Sequence, residues 1–139
     1  MSENVVTDEQ KRTAAEMIKK IPYPRLLGFE LVDLKYGEAT LKVEMRDDLR
    51  QPYGVLHGGA TASLIDTAMA FACISTLPTG EKTTTVDLTV HYLRPVTEGE
   101  VFCTAKIVRG GKRLITVSAE VTNEAGKLVA TALSTYTRI

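Results

Sequence analysis

The chain has no tryptophan, only two cysteines and two histidines, and no net charge at neutral pH. Each shortage excludes something. Seventeen Lys+Arg cancel seventeen Asp+Glu, so no global field draws the chain to nucleic acid or to an anionic membrane, and an anionic partner must be held by a local patch. Cys73 and Cys103 sit alone in apolar runs, without C-x-x-C spacing or an adjacent histidine. That pattern argues against a metal site and reads as buried thiols in a reducing compartment. Residues 1–20 mix acids and bases and lack an apolar stretch of signal-peptide length, so a cytoplasmic protein is expected. The 139 residues, 44% apolar and 24% charged, fit one domain over 1–139 with a core of its own, and exclude disorder or a collagen-like repeat.

Thr7-Asp8-Glu9-Gln10 has the form of a capping box, and Ala14, Met17, Ile18 and Ile21 follow at helical spacing until Pro22 and Pro24 interrupt. This predicts an N-terminal helix and linker over 1–23. Phe29–Tyr36 and Glu38–Arg46 read as a hairpin turning at Gly37, with Leu41, Val43 and Met45 alternating against Thr40, Lys42 and Glu44. A glycine-rich loop around His57 leads into an apolar run, Gly58–Leu77, long enough for about five helical turns. Four strand-like runs follow: Lys82–Leu93, Glu100–Arg109, Lys112–Thr122 and Lys127–Arg138. Consecutive hairpins imply an antiparallel sheet of about six strands with one long helix laid across it, an α+β architecture.

The long helix is apolar on nearly every side, whereas a helix lying on a sheet in a monomer shows a polar stripe. The run approaches the ~20 residues of a membrane span. It is built from Gly, Ala, Ser and Thr rather than Leu, however, and carries an acid mid-span, so a curved sheet plus a second subunit is the better cover. Asp66 is the only carboxylate on this helix, and an unpaired charge on an apolar element is costly unless it is bonded or put to use. Just before the helix, His57-Gly58-Gly59 offers free backbone N–H groups at the positive end of the helix dipole, with no side chain to block close approach. Taken singly, a helix aspartate and a glycine turn are ordinary structural features.

Together, Gln51, Gly54, His57-Gly58-Gly59, Leu64 and Asp66, then Thr85-Val86-Asp87 and Tyr92-Leu93-Arg94-Pro95, resemble the hotdog-fold acyl-CoA thioesterases of the phenylacetate-pathway type. The resemblance runs from Pro24 to Ile139, and its most specific part is H-G-G with an aspartate nine residues after the histidine. It implies a hotdog fold and hydrolysis of an acyl-CoA thioester. It further implies that the Gly58 N–H polarises the carbonyl, with His57 shaping the loop. Asp66 would act on water as general base or attack the thioester itself, Thr85 would hold Asp66 or the water, and Gln51 would stand near the carbonyl where many relatives carry Asn. Coenzyme A is then part of the substrate and no cofactor or metal is expected. The resemblance also implies a site shared across a homodimer, with dimers often pairing into homotetramers.

For the phosphates of coenzyme A the local cations are Arg94, ahead of Pro95, and Arg109, Lys112 and Arg113 around the Gly110-Gly111 turn. On the Lys82–Leu93 run, simple alternation places Thr85, Asp87, Thr89 and His91 on one side and Val86, Leu88, Val90 and Tyr92 on the other. Met17, Met69 and Phe71 could line an acyl pocket or belong to ordinary packing. Two other activities fit the same residues less well. One is a hotdog hydratase or dehydratase; the other is a non-catalytic module that binds or senses acyl-CoA.

Overall fold

The structure is a computed structural model that describes residues 4–139, so residues 1–3 of the expected lead-in segment lie outside it. The elements in chain order are α1 (Asp8–Ile18), α2 (Pro22–Leu27), β1 (Glu30–Lys35), β2 (Glu38–Glu44), α3 (Gly58–Ile74), β3 (Thr83–Tyr92), β4 (Glu100–Gly110), β5 (Leu114–Asn123) and β6 (Leu128–Arg138). The six strands form one sheet in the order β1-β2-β4-β5-β6-β3, and every neighbouring pair is antiparallel. This is the hotdog arrangement, with α3 as the central helix.

Period-two alternation puts Leu41, Val43, Val101, Cys103, Ala105, Ile115, Val117 and Val121 on the buried face, where they meet Leu64, Ile65, Ala68, Met69 and Ala72 of α3. Burying a side chain of this size contributes about 1.5–3 kcal/mol, so this interface dominates the stability. Met69 and Phe71 are both buried in that core.

Three elements depart from the sequence reading. The expected lead-in helix stops at Ile18, and Pro22 opens a second helix, α2, where a linker was expected. Proline at the first helical position loses no hydrogen bond and supplies the right φ, so the residue that ends one helix starts the next. Helix α3 ends at Ile74, three residues before Leu77, because Ser75 and Thr76 turn their hydroxyls back onto the carbonyls of Ala72 and Cys73 at 2.7 and 2.8 Å. Strand β3 carries a bulge between Thr85 and Asp87. The extra residue resets the alternation, so Thr83, Thr85, Leu88 and Val90 are partly buried while Val86, Asp87, Thr89 and His91 are exposed.

The Ser and Thr content of α3 is compatible with its apolar character. Ser63 donates to the Gly59 carbonyl at 2.8 Å and Thr67 to the Ser63 carbonyl at 2.7 Å, so both hydroxyls are used within the helix. The face of α3 turned away from the core runs through Gly59, Ala62, Ser63, Asp66, Thr67, Ala70 and Ile74, and no strand covers it fully. Tyr23 of α2 touches it at Ser63, hydroxyl to hydroxyl, at 2.9 Å. No helix among the described residues is long and apolar enough to cross a membrane.

Candidate active site

Asp66 projects from the middle of α3 towards the bulged end of β3, where two hydroxyls meet it. Thr85 Oγ1 donates to Asp66 Oδ1 at 2.8 Å, and the Tyr136 hydroxyl donates to the same oxygen at 2.6 Å and lies 2.7 Å from the Asp66 carbonyl oxygen. Thr85 and Tyr136 are register partners on β3 and β6, so one rung of the sheet supplies both donors. The bulge matters here, because it turns Thr85 inward while the chain on either side keeps its pairing. Tyr136 is 2% exposed; burial first, and then the Asp66 carboxylate, push its phenol well above the ordinary range, so it remains a donor. With Oδ1 doubly engaged, Oδ2 has no hydrogen-bond partner among the described residues and is not sealed from solvent. The carboxylate is thus fixed by one oxygen and presents the other.

Tyr136 does not appear in the sequence reading of the site. It lies 70 residues from Asp66, in a strand where an aromatic residue reads as core. Only the pairing of β6 with β3 brings it into play.

At the other end of α3, His57 is the N-cap, and its Nδ1 accepts the Gly59 N–H at 2.8 Å. The His57 carbonyl accepts from Ala60 and Thr61 at 3.0 and 3.3 Å. The cap therefore uses the amides that follow Gly58 and leaves the Gly58 N–H without a partner among the described residues. A free amide at a helix start is suited to binding a negatively polarised oxygen. The Gly58 carbonyl is engaged, accepting the Tyr92 hydroxyl at 2.6 Å. Burial pushes the Tyr92 phenol upward, which keeps it a donor.

Gln51 lies earlier on the same loop and does not reach out from it: its Oε1 accepts the Tyr53 N–H, and its backbone bonds Val55 and Gly54. The loop is anchored by Arg50, a residue absent from the sequence reading. Its guanidinium binds the Gly54 and Thr97 carbonyls at 2.6 and 2.9 Å and pairs with Asp47 and Glu98 at 2.9 and 3.1 Å. Asp47 first, and then Glu98, hold it firmly in the charged state.

The structure separates two groups that the sequence reading considered together. Arg94 bonds the Leu128 carbonyl at 2.8 Å, at the end of the sheet where Tyr92 meets Gly58. Arg109, Lys112 and Arg113 flank the β4–β5 turn at the other end, where Leu114 pairs with Thr137. From Leu128 to Thr137 a strand spans ~30 Å. The three hairpin cations make no side-chain hydrogen bond or ion pair among the described residues. No cluster of three or more His, Cys, Asp or Glu that could hold a metal occurs among those residues.

Gly58 and Asp66 are eight residues apart on one helix, a rise of ~12 Å. A single thioester carbonyl cannot touch both within one chain. Either the acid and the amide act separately, or each meets its counterpart on another copy.

Comparison with known proteins bears on this geometry. A family model described as the thioesterase superfamily matches residues 53–130, from the anchored loop to the start of β6. Human acyl-coenzyme A thioesterase 13 is 31% identical over 128 residues, covering 90% of this chain and 91% of that protein. The medium/long-chain acyl-CoA thioesterase YigI of Escherichia coli (strain K12) is 26% identical, with 98% of each chain covered. Among solved structures, the E. coli PaaI protein from the phenylacetic acid degradation operon superposes with a TM-score of 0.84 at 26% identity, over 92% of this chain and 91% of that one. With more than half the chain matched by the family model and a near full-length relative at 31% identity, the protein belongs to the thioesterase superfamily, as a thioester hydrolase of the hotdog fold.

Proposed function

We propose that the protein hydrolyses acyl-CoA thioesters to free acid and coenzyme A, with Asp66 activating water and the Gly58 N–H of a second copy polarising the carbonyl. The observation that carries this reading is the half-engaged carboxylate: Thr85 and Tyr136 bind Oδ1, which leaves Oδ2 to accept a proton from water. General-base assistance of this kind is worth roughly 10²–10⁴ in rate, and one well-aimed oxyanion donor roughly 10²–10³. Neither group needs a cofactor, and coenzyme A enters as part of the substrate.

The ~12 Å between acid and amide supports a composite site, and so does the apolar face of α3 that one sheet leaves open. On this reading the working unit is at least a homodimer, and pairing of dimers into a homotetramer would cover more of that face. The chain acts as one domain in the cytoplasm. His57 shapes the loop through its cap, and Gln51 serves by holding the turn through Tyr53. The free cations Arg109, Lys112 and Arg113 are the best phosphate contacts; Arg94, already bound to a carbonyl, adds charge at the loop end.

The named substrates of the relatives, acyl-CoA and medium/long-chain acyl-CoA, make fatty acyl-CoA the first class to assay. Thiol release measured across acyl-CoA chain lengths and aromatic acyl-CoAs tests the activity. Release from at least one class supports it; hydration of enoyl-CoA without thiol release would replace it with a hydratase.

A further inference from the structure

A cleft of about 780 Å³ lies between α1 and the C-terminal end of α3, walled by Val6, Met17, Leu34, Ile74 and Leu77. Among its described lining residues Glu9 is the only charged one, and there is no cation. The cleft is held open by a fixed wall. Ile18 and Ala14 pin α1 to the core, and Lys11 pairs with Asp33 of β1 at 3.0 Å, a contact that holds the Asp33 carboxyl below its usual range. Met17 and Ile74 are 39% and 45% exposed, so apolar surface is left wet at the mouth.

Helical geometry ties this cleft to the acid. Asp66, Ala70 and Ile74 follow one another at i, i+4 and i+8 on the open face of α3, so they form a single ridge row. Ala70, between the other two, is too small to obstruct passage along the row. Asp66 to Ile74 is a rise of ~12 Å, which about nine or ten carbons cover when bonds of ~1.5 Å are laid in an extended zigzag. A thioester carbonyl placed at Asp66 would therefore send an unbranched tail along Ala70 and over Ile74 into the cleft.

Resting on the thioesterase reading above, we infer that this α1–α3 cleft receives the distal end of a fatty acyl tail and sets the preference for chains longer than about ten carbons. The nucleotide part of coenzyme A is excluded by charge: a polyanion gains nothing from a cleft with one carboxylate and no cation. A hydrocarbon tail gains from the apolar part of the wall, while Thr7, Gln10, Thr13, Ser75 and Thr76 line the polar remainder. Chains too short to reach Ile74 leave the cleft to water and draw no benefit from it.

The test is a length series, butanoyl- to tetradecanoyl-CoA, on the full chain and on Met17→Gln/Ile74→Gln. Both positions are exposed enough to accept a polar side chain without opening the core. The parent should show kcat/KM rising by about two- to fourfold per carbon pair beyond ten carbons, each buried methylene favouring the bound state. The double variant should lose that rise, by about tenfold at fourteen carbons, with butanoyl-CoA turnover unchanged. A parent profile flat beyond eight carbons, or a loss equal at all lengths, would overturn the inference. Calorimetric binding of dodecanoyl-CoA and butanoyl-CoA to Asp66→Asn, with and without the cleft substitutions, separates the two claims. If no thioester is hydrolysed, the activity fails, while tighter dodecanoyl binding that the cleft substitutions abolish still supports the tail site. Equal binding of both lengths overturns it.

Discussion

Asp66 is held on one side only, and the chemistry assigned to it depends on that asymmetry. Tyr136→Phe removes the stronger restraint without changing the shape of the core. It should lower kcat by up to about 10²-fold through misplacement of the carboxylate, with a smaller effect on KM. Loss of the hydrogen bond should cost stability by about 1 kcal/mol. Steady-state kinetics beside thermal melting checks this; a stability loss with kcat intact would make Tyr136 a packing residue. Asp66→Asn should remove turnover and leave the assembly as it is, and activity within a few-fold of the parent would withdraw the assignment. The two thiols give a prediction about pH. Burial pushes Cys73 and Cys103 up to about 12, from the ordinary 9.0. Between those values the unfolded chain binds fewer protons than the folded one, so stability falls as pH rises, by up to about 1.4 kcal/mol per pH unit for each thiol. Urea melts at pH 8, 9.5 and 11 measure the slope. At pH 8 neither thiol should react with iodoacetamide until the protein unfolds, and rapid labelling of the folded chain would contradict their burial.

At the scale of elements, the decisive pieces are the start of α3 and the bulge of β3. His57→Ala removes the Nδ1 cap on the Gly59 amide. The expected cost is about 1 kcal/mol, or about 3 °C in melting temperature, and the freed Gly59 N–H loosens the loop, so activity should fall further than stability alone explains. An unchanged melting temperature would show that the cap is not sustaining the helix start. The elements also show what a sequence carries and what it hides. Leu41, Val43 and Met45, or Ile115, Val117, Ala119 and Val121, announce strands because one face of an antiparallel sheet is buried and the other is not. The bulge beside Thr85 leaves no such mark: one inserted residue changes the facing of Val86 and Asp87 without changing composition. Helix α2 is hidden for a related reason, since Pro22 and Pro24 read equally as a break and as a first turn. At the site, Asp66 and His57-Gly58-Gly59 stand out because a charge on an apolar helix and glycines before it are locally unusual. Tyr136 and Arg50 depend on strand pairing and loop closure between distant segments, which no local pattern records.

For the whole molecule the question is whether the catalytic groups of different copies meet. The ~12 Å separation of Gly58 and Asp66 along one helix is too long for one carbonyl to span, so the proposed mechanism needs the acid of one copy and the amide of another. The sequence can remove each half cleanly. Asp66→Asn deletes the acid, and Gly58→Pro deletes the amide proton at the first helical position, where proline fits and where His57 already holds the extended conformation that proline requires before it. The nearest atoms to a Cβ at position 58 are those of the Tyr92 ring and hydroxyl at 3.3–3.5 Å, so the half-exposed Tyr92 side chain must give way by a few tenths of an ångström. The most direct measurement is therefore thiol release by the two variants, alone and after subunit exchange in a 1:1 mixture, with exchange verified by native mass spectrometry. Each alone should be inactive, and the mixture should recover about a quarter of the parent activity, because half the dimers are mixed and each mixed dimer rebuilds one of its two sites. A mixture that exchanges subunits yet stays inactive would show that the acid of one copy and the amide of another do not form a shared site.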